Sequence, residues 1–548
     1  MAEDPPYTLR GYQQDDLAFH IGAKKSLNLS DPGAGKTGVV CVAAYYYWSR
    51  LGVKTIWAMP KSLLEKNKEE FGLFTDFTPD DIHIFESDFA ALTKDWTGPT
   101  KTRTKITRAL KLRRLDGTVT NARDYKPDHP LVYSSPMKKF QGPGWAVIGK
   151  ADTVSVPPAN AELVFPILDP FGKPQFERFE DEETVKDLIA AHADKKVFLC
   201  SFEFLREHWS YLLNTIPEIG LYLVDELHMG YGGAESGRTE SFYHVNRHCD
   251  YFIGMTGTLM DGRMDTCYPA IHVIEPRYYG SYQGFLDNHA GFTDNYGNVQ
   301  VWTNHEKLKS ILDRHSVRHT FEEVYGEEPV HFETKVIPMG PKVREVYDQF
   351  HDDAMLELED ESIIDGSMPG VTTIRARQIM SHPETMGLAK GETTGKDKLL
   401  AAYAVEGQPM LVFASLKPEQ ERCKRVLEEQ GLRVGLINSD TSLKERGRID
   451  RLFRLGELDA IVGSGPTVAV GFNFQRADHV VFISIDYKDV NIMQAYRRAS
   501  RGTRTTTLRV TFIQYEKSID QRMYNIVSMK SQEANKVDHT RKVLDFTQ

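Results

Sequence analysis

Cysteine is scarce in this chain: five residues in 548, at positions 41, 200, 249, 267 and 423, with no CxxC pair among them. That spacing excludes iron–sulfur clusters and structural zinc, argues against redox chemistry and fits a reducing compartment. Long apolar runs are absent too, none approaching the roughly 20 residues that span a bilayer. The opening residues, MAEDPPYTLRGYQ, lack the basic-then-apolar order of a leader. The expectation is no membrane and a cytoplasmic location, which means the host cytoplasm for a viral chain, or the nucleus for a eukaryotic one. Neither charge sign dominates: 67 basic against 77 acidic residues leave a net charge of -10, which excludes an all-over polycation but not local basic faces. No repeat of roughly 20 to 50 residues points to a solenoid or propeller.

What is present is ordinary for a folded, soluble protein: 41% apolar and 26% charged residues, in a length that accommodates about three to four domain-sized units. Short runs of Val, Ile and aromatics, each ending in polar or Gly residues, read as buried parallel strands at Thr55 to Pro60, Val197 to Phe202, Leu221 to Glu226 and Tyr251 to Thr256. A second set, Met410 to Ser415, Val434 to Asn438, Asp459 to Gly463, His479 to Asp486 and Leu508 to Tyr515, alternates with helical segments such as Pro418 to Gly431 and Ser442 to Leu455. The predicted class is α/β, with two parallel-sheet units. Between them, Glu275 to Gly395 shows little strand signal and reads as a helical connector, with helices over Asn304 to Glu323 and Pro341 to Glu361. From about Thr75 to Lys195 periodicity fades and Pro and Gly accumulate, as in a domain-sized insertion.

Leu27-Asn-Leu-Ser-Asp-Pro-Gly33-Ala-Gly35-Lys36-Thr37 followed by a helical pattern has the strand, Gly-rich loop and helix order of a P-loop. Gly33 and Gly35 let backbone N–H groups turn toward phosphate, Lys36 supplies a charge and Thr37 a magnesium ligand. Ser30 stands where the stricter pattern has its first Gly. Leu221-Tyr-Leu-Val-Asp225-Glu226-Leu227-His228 is an apolar strand ending in two acids, which puts Asp225 on a magnesium shell and Glu226 within reach of an attacking water.

With these elements the chain resembles superfamily 2 helicases, and most closely the Swi/Snf-like branch of ATP-dependent double-stranded DNA translocases. Leu9-Arg-Gly-Tyr12-Gln13 is similar to the adenine-reading segment, and Ala58-Met-Pro60-Lys-Ser62-Leu63-Leu64 with Glu69-Glu70-Phe71 to the family's "CPxSLL...W..EF" element, Asn67 standing near its Trp. Cys200 to Arg206 is similar to "TYExLR", and Gly254-Met-Thr256-Gly257-Thr258 to the segment linking hydrolysis to DNA contact, with Leu259 in place of its Pro. Val470-Gly471-Phe472-Asn473-Phe474 and Gln494-Ala495-Tyr-Arg497-Arg498-Ala-Ser-Arg501-Gly502, the latter matching "QAxxRxxR", complete it.

The resemblance implies two RecA-like lobes, the first over 1–274 with its insertion at about 75–195, a helical protrusion and linker over 275–395, the second lobe over 396–530 and a tail over 531–548. It implies ATP and Mg2+ as cofactors, with Gln13, Gly33, Gly35, Lys36, Thr37 and Gly471 binding ATP, and Thr37 and Asp225 holding magnesium. Glu226, Gln494, Arg498 and Arg501 are the catalytic group, the two arginines able to reach phosphates across an inter-lobe cleft. The resemblance also implies that His228, Thr256 and Thr258 couple hydrolysis to movement. Arg497 and Arg504 read as a basic helix face or a DNA-facing patch.

The implied function is a monomeric ATP-driven motor translocating on or remodelling nucleic acid, with duplex DNA favoured. The alternatives are a strand-separating DNA or RNA helicase and a non-catalytic nucleotide-binding scaffold. In the insertion, Lys101, Arg103, Lys105, Arg108, Lys111, Arg113 and Arg114 form a run without an acid that reads as a nucleic-acid grip or as a solvated loop. Tyr45-Tyr46-Tyr47-Trp48 reads as core, and His244, His248 and Cys249 as surface or core residues instead of a zinc site.

Overall fold

The structure, a computed structural model, describes residues 7–85, short strands between 111 and 175, and residues 182–260, 263–294, 297–353, 355–357, 363–365, 369–386, 393–468, 472, 474–500, 504–539, 542–544 and 546. Two compact units divide it, one made of residues 1–85, 195–213 and 217–548, the other of residues 86–194 with 214–216.

The first unit holds two parallel sheets. The first lobe's strands are β1 (Lys25–Asn28), β2 (Lys54–Met59), β3 (Ile82–Ile84), β4 (Val197–Ser201), β5 (Ile219–Val224), β6 (Tyr251–Met255) and β7 (Ser316–Val317), in the order β7-β1-β6-β5-β2-β4-β3. Every pairing is parallel. The second lobe's strands are β8 (Val330–Ile337), β9 (Met410–Phe413), β10 (Val434–Ile437), β11 (Ala460–Gly463), β12 (His479–Phe482) and β13 (Leu508–Tyr515), in the order β8-β13-β12-β9-β11-β10, again all parallel. Central strands of a parallel sheet are covered on both faces, which is why these segments are continuous apolar runs. Ile56, Trp57, Leu199, Leu223 and Val412 are all fully buried. The expected Tyr45 to Trp48 core is visible too: Tyr47 is buried and packs with Tyr45 and Trp48, while Tyr46 is exposed. These are two RecA-like lobes.

The connector departs from its expected helical character. In place of one helix over 304–323 the chain forms the helix His305–His315, then β7, then the short helix Phe321–Tyr325. Val317, being β-branched, pairs readily along the edge of β1, and the Thr320–Glu323 capping box starts the new helix. Val330–Ile337 becomes the edge strand β8, paired among the described residues with β13 alone and half-exposed, so it shows no continuous apolar run. A hairpin, Ala290–Thr293 with Val299–Trp302, lies in the same stretch. At the other end the helix Ile519–Val537 runs straight across residue 530, where the sequence reading starts a tail.

The second unit contains a five-stranded antiparallel sheet in the order Val119–Asn121, Lys111–Arg114, Trp145–Ile148, Lys139–Gly142, Val132–Ser134, and the helix Glu182–Ala191. Of the basic run, Lys101, Arg103, Lys105 and Arg108 lie outside the described residues, and Lys111, Arg113 and Arg114 fall on one strand. Among the described residues no helix is long and apolar enough to cross a membrane.

Candidate active site

The phosphate loop joins β1 to the helix Lys36–Leu51, of which Thr37 is the second residue. Gly33 and Gly35 both take left-handed backbone, at φ +92° and +78°, which side chains with a Cβ adopt at a cost. A Cβ on Gly35 would also stand 2.5 Å from Gln13 Nε2. Three successive carbonyls of the loop are tied back by side-chain donors: Gly33 by the Tyr325 hydroxyl, Ala34 by the Tyr12 hydroxyl and Gly35 by Gln13 Nε2, each at 2.9 Å. A loop held by its carbonyls keeps its opposite, N–H-bearing side for an anion. Gln13 Oε1 in turn accepts the Arg10 N–H at 2.9 Å.

Ser30, the departure from the Gly pattern, is buried, and its Oγ accepts the His319 N–H at 3.1 Å. A hydroxyl therefore holds the connector to the loop where glycine offers nothing. Lys36 Nζ donates to the Ser30 and Asp31 carbonyls at 2.7 and 3.0 Å. Burial pulls its pKa down, while Glu226, Asp225 and Asp31 pull it up.

The two acids follow β5 directly. Asp225 N–H donates to the Ala58 carbonyl of β2 at 2.9 Å, fixing the turn. Its Oδ1 accepts the Glu226 N–H at 2.9 Å and its Oδ2 the Asn67 amide at 3.2 Å. Burial and the neighbouring Glu226 charge push the Asp225 pKa up, against the pull of Lys36. Glu226 sits in left-handed backbone at φ +48°, a conformation costing about 1–2 kcal/mol for a residue with a Cβ. Its Oε2 is buried and, among the described residues, has no hydrogen-bond partner. Strain and an orphaned carboxylate oxygen beside a phosphate loop fit a magnesium–nucleotide group and its water.

His228 Nδ1 lies 3.6 Å from Glu226 Oε2 and hydrogen-bonds Thr256 Oγ1 at 2.7 Å. Thr256 Oγ1 also accepts the Thr258 N–H at 3.1 Å, so the three residues expected to couple hydrolysis to movement form one chain. Gly257 between them leaves no room for a side chain, because a Cβ would meet Pro32 Cδ of the phosphate loop at 2.6 Å.

From the second lobe, the helix Asp489–Tyr496 delivers Gln494, buried and with Nε2 unpartnered among the described residues. Directly after it, Arg497 reaches the phosphate loop: its Nη1 lies 2.8 Å from Asp31 Oδ1. Arg498 is half-buried, while Arg501 and Gly471 lie outside the described residues. Neither Arg497 nor Arg504 belongs to an exposed basic face, as the sequence reading has it. Arg504 is turned inward onto Asp478 and the Gln475 and Ala477 carbonyls, a clasp within the second lobe.

Sequence reasoning gave no role to Asp31, Asn67 or Tyr325. The one signal was Asn67, a polar residue where the family carries Trp. His244 stacks on Trp209 at 4.3 Å and does not approach a metal cluster; among the described residues no group of three or more His, Cys, Asp or Glu side chains is placed to hold one. Beside His228 opens a cavity of about 520 Å3 lined by Arg206, Gly232, Gly233, Arg238 and, from the second lobe, Lys488.

Comparison with known proteins finds similarity to helicases and chromatin-remodeling subunits. Residues 395–503 match the helicase conserved C-terminal domain family. The chromatin structure-remodeling complex subunit snf21 of Schizosaccharomyces pombe is 22% identical over 362 residues, 60% of this chain and 30% of that protein. The ATP-dependent RNA helicase RhlB of Shewanella sediminis is 32% identical over 117 residues, 18% of this chain and 27% of its own length. The chain thus spans under a third of the curated relatives it matches. Among solved structures, the Sulfolobus solfataricus SWI2/SNF2 ATPase core in complex with dsDNA overlays 98% of this chain and 99% of its own, at 15% identity and a TM-score of 0.37. The second lobe thus carries a match to the helicase conserved C-terminal domain, and about three-fifths of the chain is similar to chromatin-remodeling complex subunits.

Proposed function

We propose that this chain is an ATP-driven motor that translocates on or remodels duplex DNA. The observation that carries the reading is that its phosphate loop is contacted from both lobes, by Tyr12 and Gln13 on one side and by Arg497 on the other. A nucleotide bound there touches both lobes, so its hydrolysis changes how they hold each other. Lys36 and Thr37 hold phosphate and metal, Asp225 completes the metal shell, and Glu226 orients the attacking water. Arg498 and Arg501 stabilise the γ-phosphate in the transition state, and Gln13 and Gly471 help seat the nucleotide. Magnesium, when bound, neutralises phosphate charge.

The polymer side is supported by the cavity beside His228, whose lining includes Arg206, Arg238 and Lys488; the two arginines are paired with Glu207 and Glu203, pairs that a phosphate backbone would compete for without base reading. Duplex DNA is favoured because the alignment with chromatin-remodelling subunits covers three-fifths of the chain. The run Lys101 to Arg114 adds a further grip, which the salt slope of DNA binding would register. A second reading, strand separation on DNA or RNA, draws on the similarity to an RNA helicase.

The deciding experiment measures ATP hydrolysis side by side with duplex DNA, single-stranded DNA, RNA and no polymer. Duplex DNA is expected to stimulate most. Strongest stimulation by RNA or by a single strand would replace this reading with the second, and no hydrolysis under any condition would end both.

A further inference from the structure

Asp31 lies inside the phosphate loop, at a position the P-loop pattern leaves open, and Arg497 occupies a position that "QAxxRxxR" leaves open. The structure nevertheless joins them. Asp31 is a junction of three parts of the chain: Oδ1 faces Arg497 of the second lobe at 2.8 Å, Oδ2 accepts the Phe321 N–H of the connector at 2.9 Å, and its carbonyl accepts Lys36 Nζ at 3.0 Å. The pair is well covered, with side-chain exposures of 7% for Arg497 and 19% for Asp31.

A lysine ammonium has three donors. Two of those on Lys36 are spent on the Ser30 and Asp31 carbonyls, which among the described residues leaves one for phosphate. The Asp31 carboxylate is close enough to act electrostatically on Lys36, and Arg497 acts on Lys36 with the opposite sign. A carboxylate beside the one free lysine donor competes with a triphosphate for it, unless another cation neutralises and holds that carboxylate.

We propose that Arg497 is a positioning residue for the phosphate loop: it keeps the Asp31 carboxylate engaged and away from Lys36, so that Lys36 is fully available to nucleotide only while the second lobe is docked. The lobes then communicate with the nucleotide through a residue that does not touch it. This rests on the ATP-site reading given above and differs from the arginine-finger role proposed for Arg498 and Arg501, because the action of Arg497 depends entirely on the charge of Asp31.

The test is a titration of the full chain with a fluorescent, slowly hydrolysed ATP analogue and Mg2+, without polymer, in wild type, Arg497→Ala, Asp31→Asn and the double variant. Asparagine keeps an acceptor for the Phe321 N–H and removes the charge. Arg497→Ala alone should weaken binding on the order of tenfold, a normal coupling for neighbouring charges. The same substitution in the Asp31→Asn background should change affinity by less than about threefold. A structural role or a direct phosphate contact for Arg497 predicts the same loss in both backgrounds, and that result would overturn the proposal. Arg497→Lys, which keeps the cation, should bind within a few-fold of wild type, and it carries the comparison if the alanine variant melts early. Should wild type itself bind no nucleotide, the ATP-site reading falls; binding by wild type without rescue by Asp31→Asn removes only this inference.

Discussion

Glu226 combines three features that seldom coincide by accident: left-handed backbone, a buried oxygen without a hydrogen-bond partner among the described residues, and a place one residue beyond an acid whose carboxylate accepts the Asn67 amide and the Glu226 N–H. Neutralising it should therefore leave binding intact and remove turnover. Glu226→Gln is expected to bind ATP within a few-fold of wild type and to lose about 10²–10⁴ in rate, the usual worth of a positioned base. Lys36→Ala should lose both binding and rate. Filter binding together with phosphate release checks both, and wild-type turnover in Glu226→Gln would show that the water is oriented elsewhere. The acids and the lysine were legible in the sequence because each lies at the end of a short, locally ordered pattern. Asp31, Arg497 and Asn67 were not, since their partners arrive from elsewhere in the chain and a side chain's partner across a cleft leaves no local mark.

Among elements, the tightest approach is that of the Thr256-Gly257-Thr258 turn to the phosphate loop. Pro32 is locked by its ring and cannot swing aside, so a methyl placed 2.6 Å from its Cδ must displace backbone. Gly257→Ala should cost about 1–3 kcal/mol as overpacking does and weaken nucleotide binding together with thermal stability. Calorimetry and nucleotide titration measure the two losses. Unchanged values for both would mean that the turn and the loop are not in register. The central strands were readable from sequence because burial on both faces makes them continuous apolar runs. Strands β7 and β8 escaped notice for the converse reason: edge strands, one of them two residues long, are half-exposed and carry mixed residues.

For the whole molecule, each lobe conceals a histidine that burial keeps neutral. His20, against Ser26 at the start of β1, has its pKa pulled down to about 4, and His479 of β12, burdened also by Arg509, down to about 3. Above the unfolded value near 6.5 neither state is charged and stability is full. As pH falls below it the unfolded chain takes up protons that the fold refuses, so stability declines toward the folded values. His20 alone accounts for on the order of 3 kcal/mol between those limits. Urea midpoints at pH 7.5 and 4.5 should differ accordingly and the difference should shrink in His20→Asn; identical midpoints would contradict it. A consequence for biogenesis follows from the Tyr325 hydroxyl that steadies Gly33 across 292 residues. At about 5–20 residues per second, the ribosome makes the glycine-rich loop roughly 15–60 s before Tyr325, the last of the three side chains that brace it. On the proposed ATP-site reading, the complete loop then becomes available to nucleotide only late in synthesis. Stalled nascent chains ending before and after residue 325 should differ in their capture by an immobilised nucleotide.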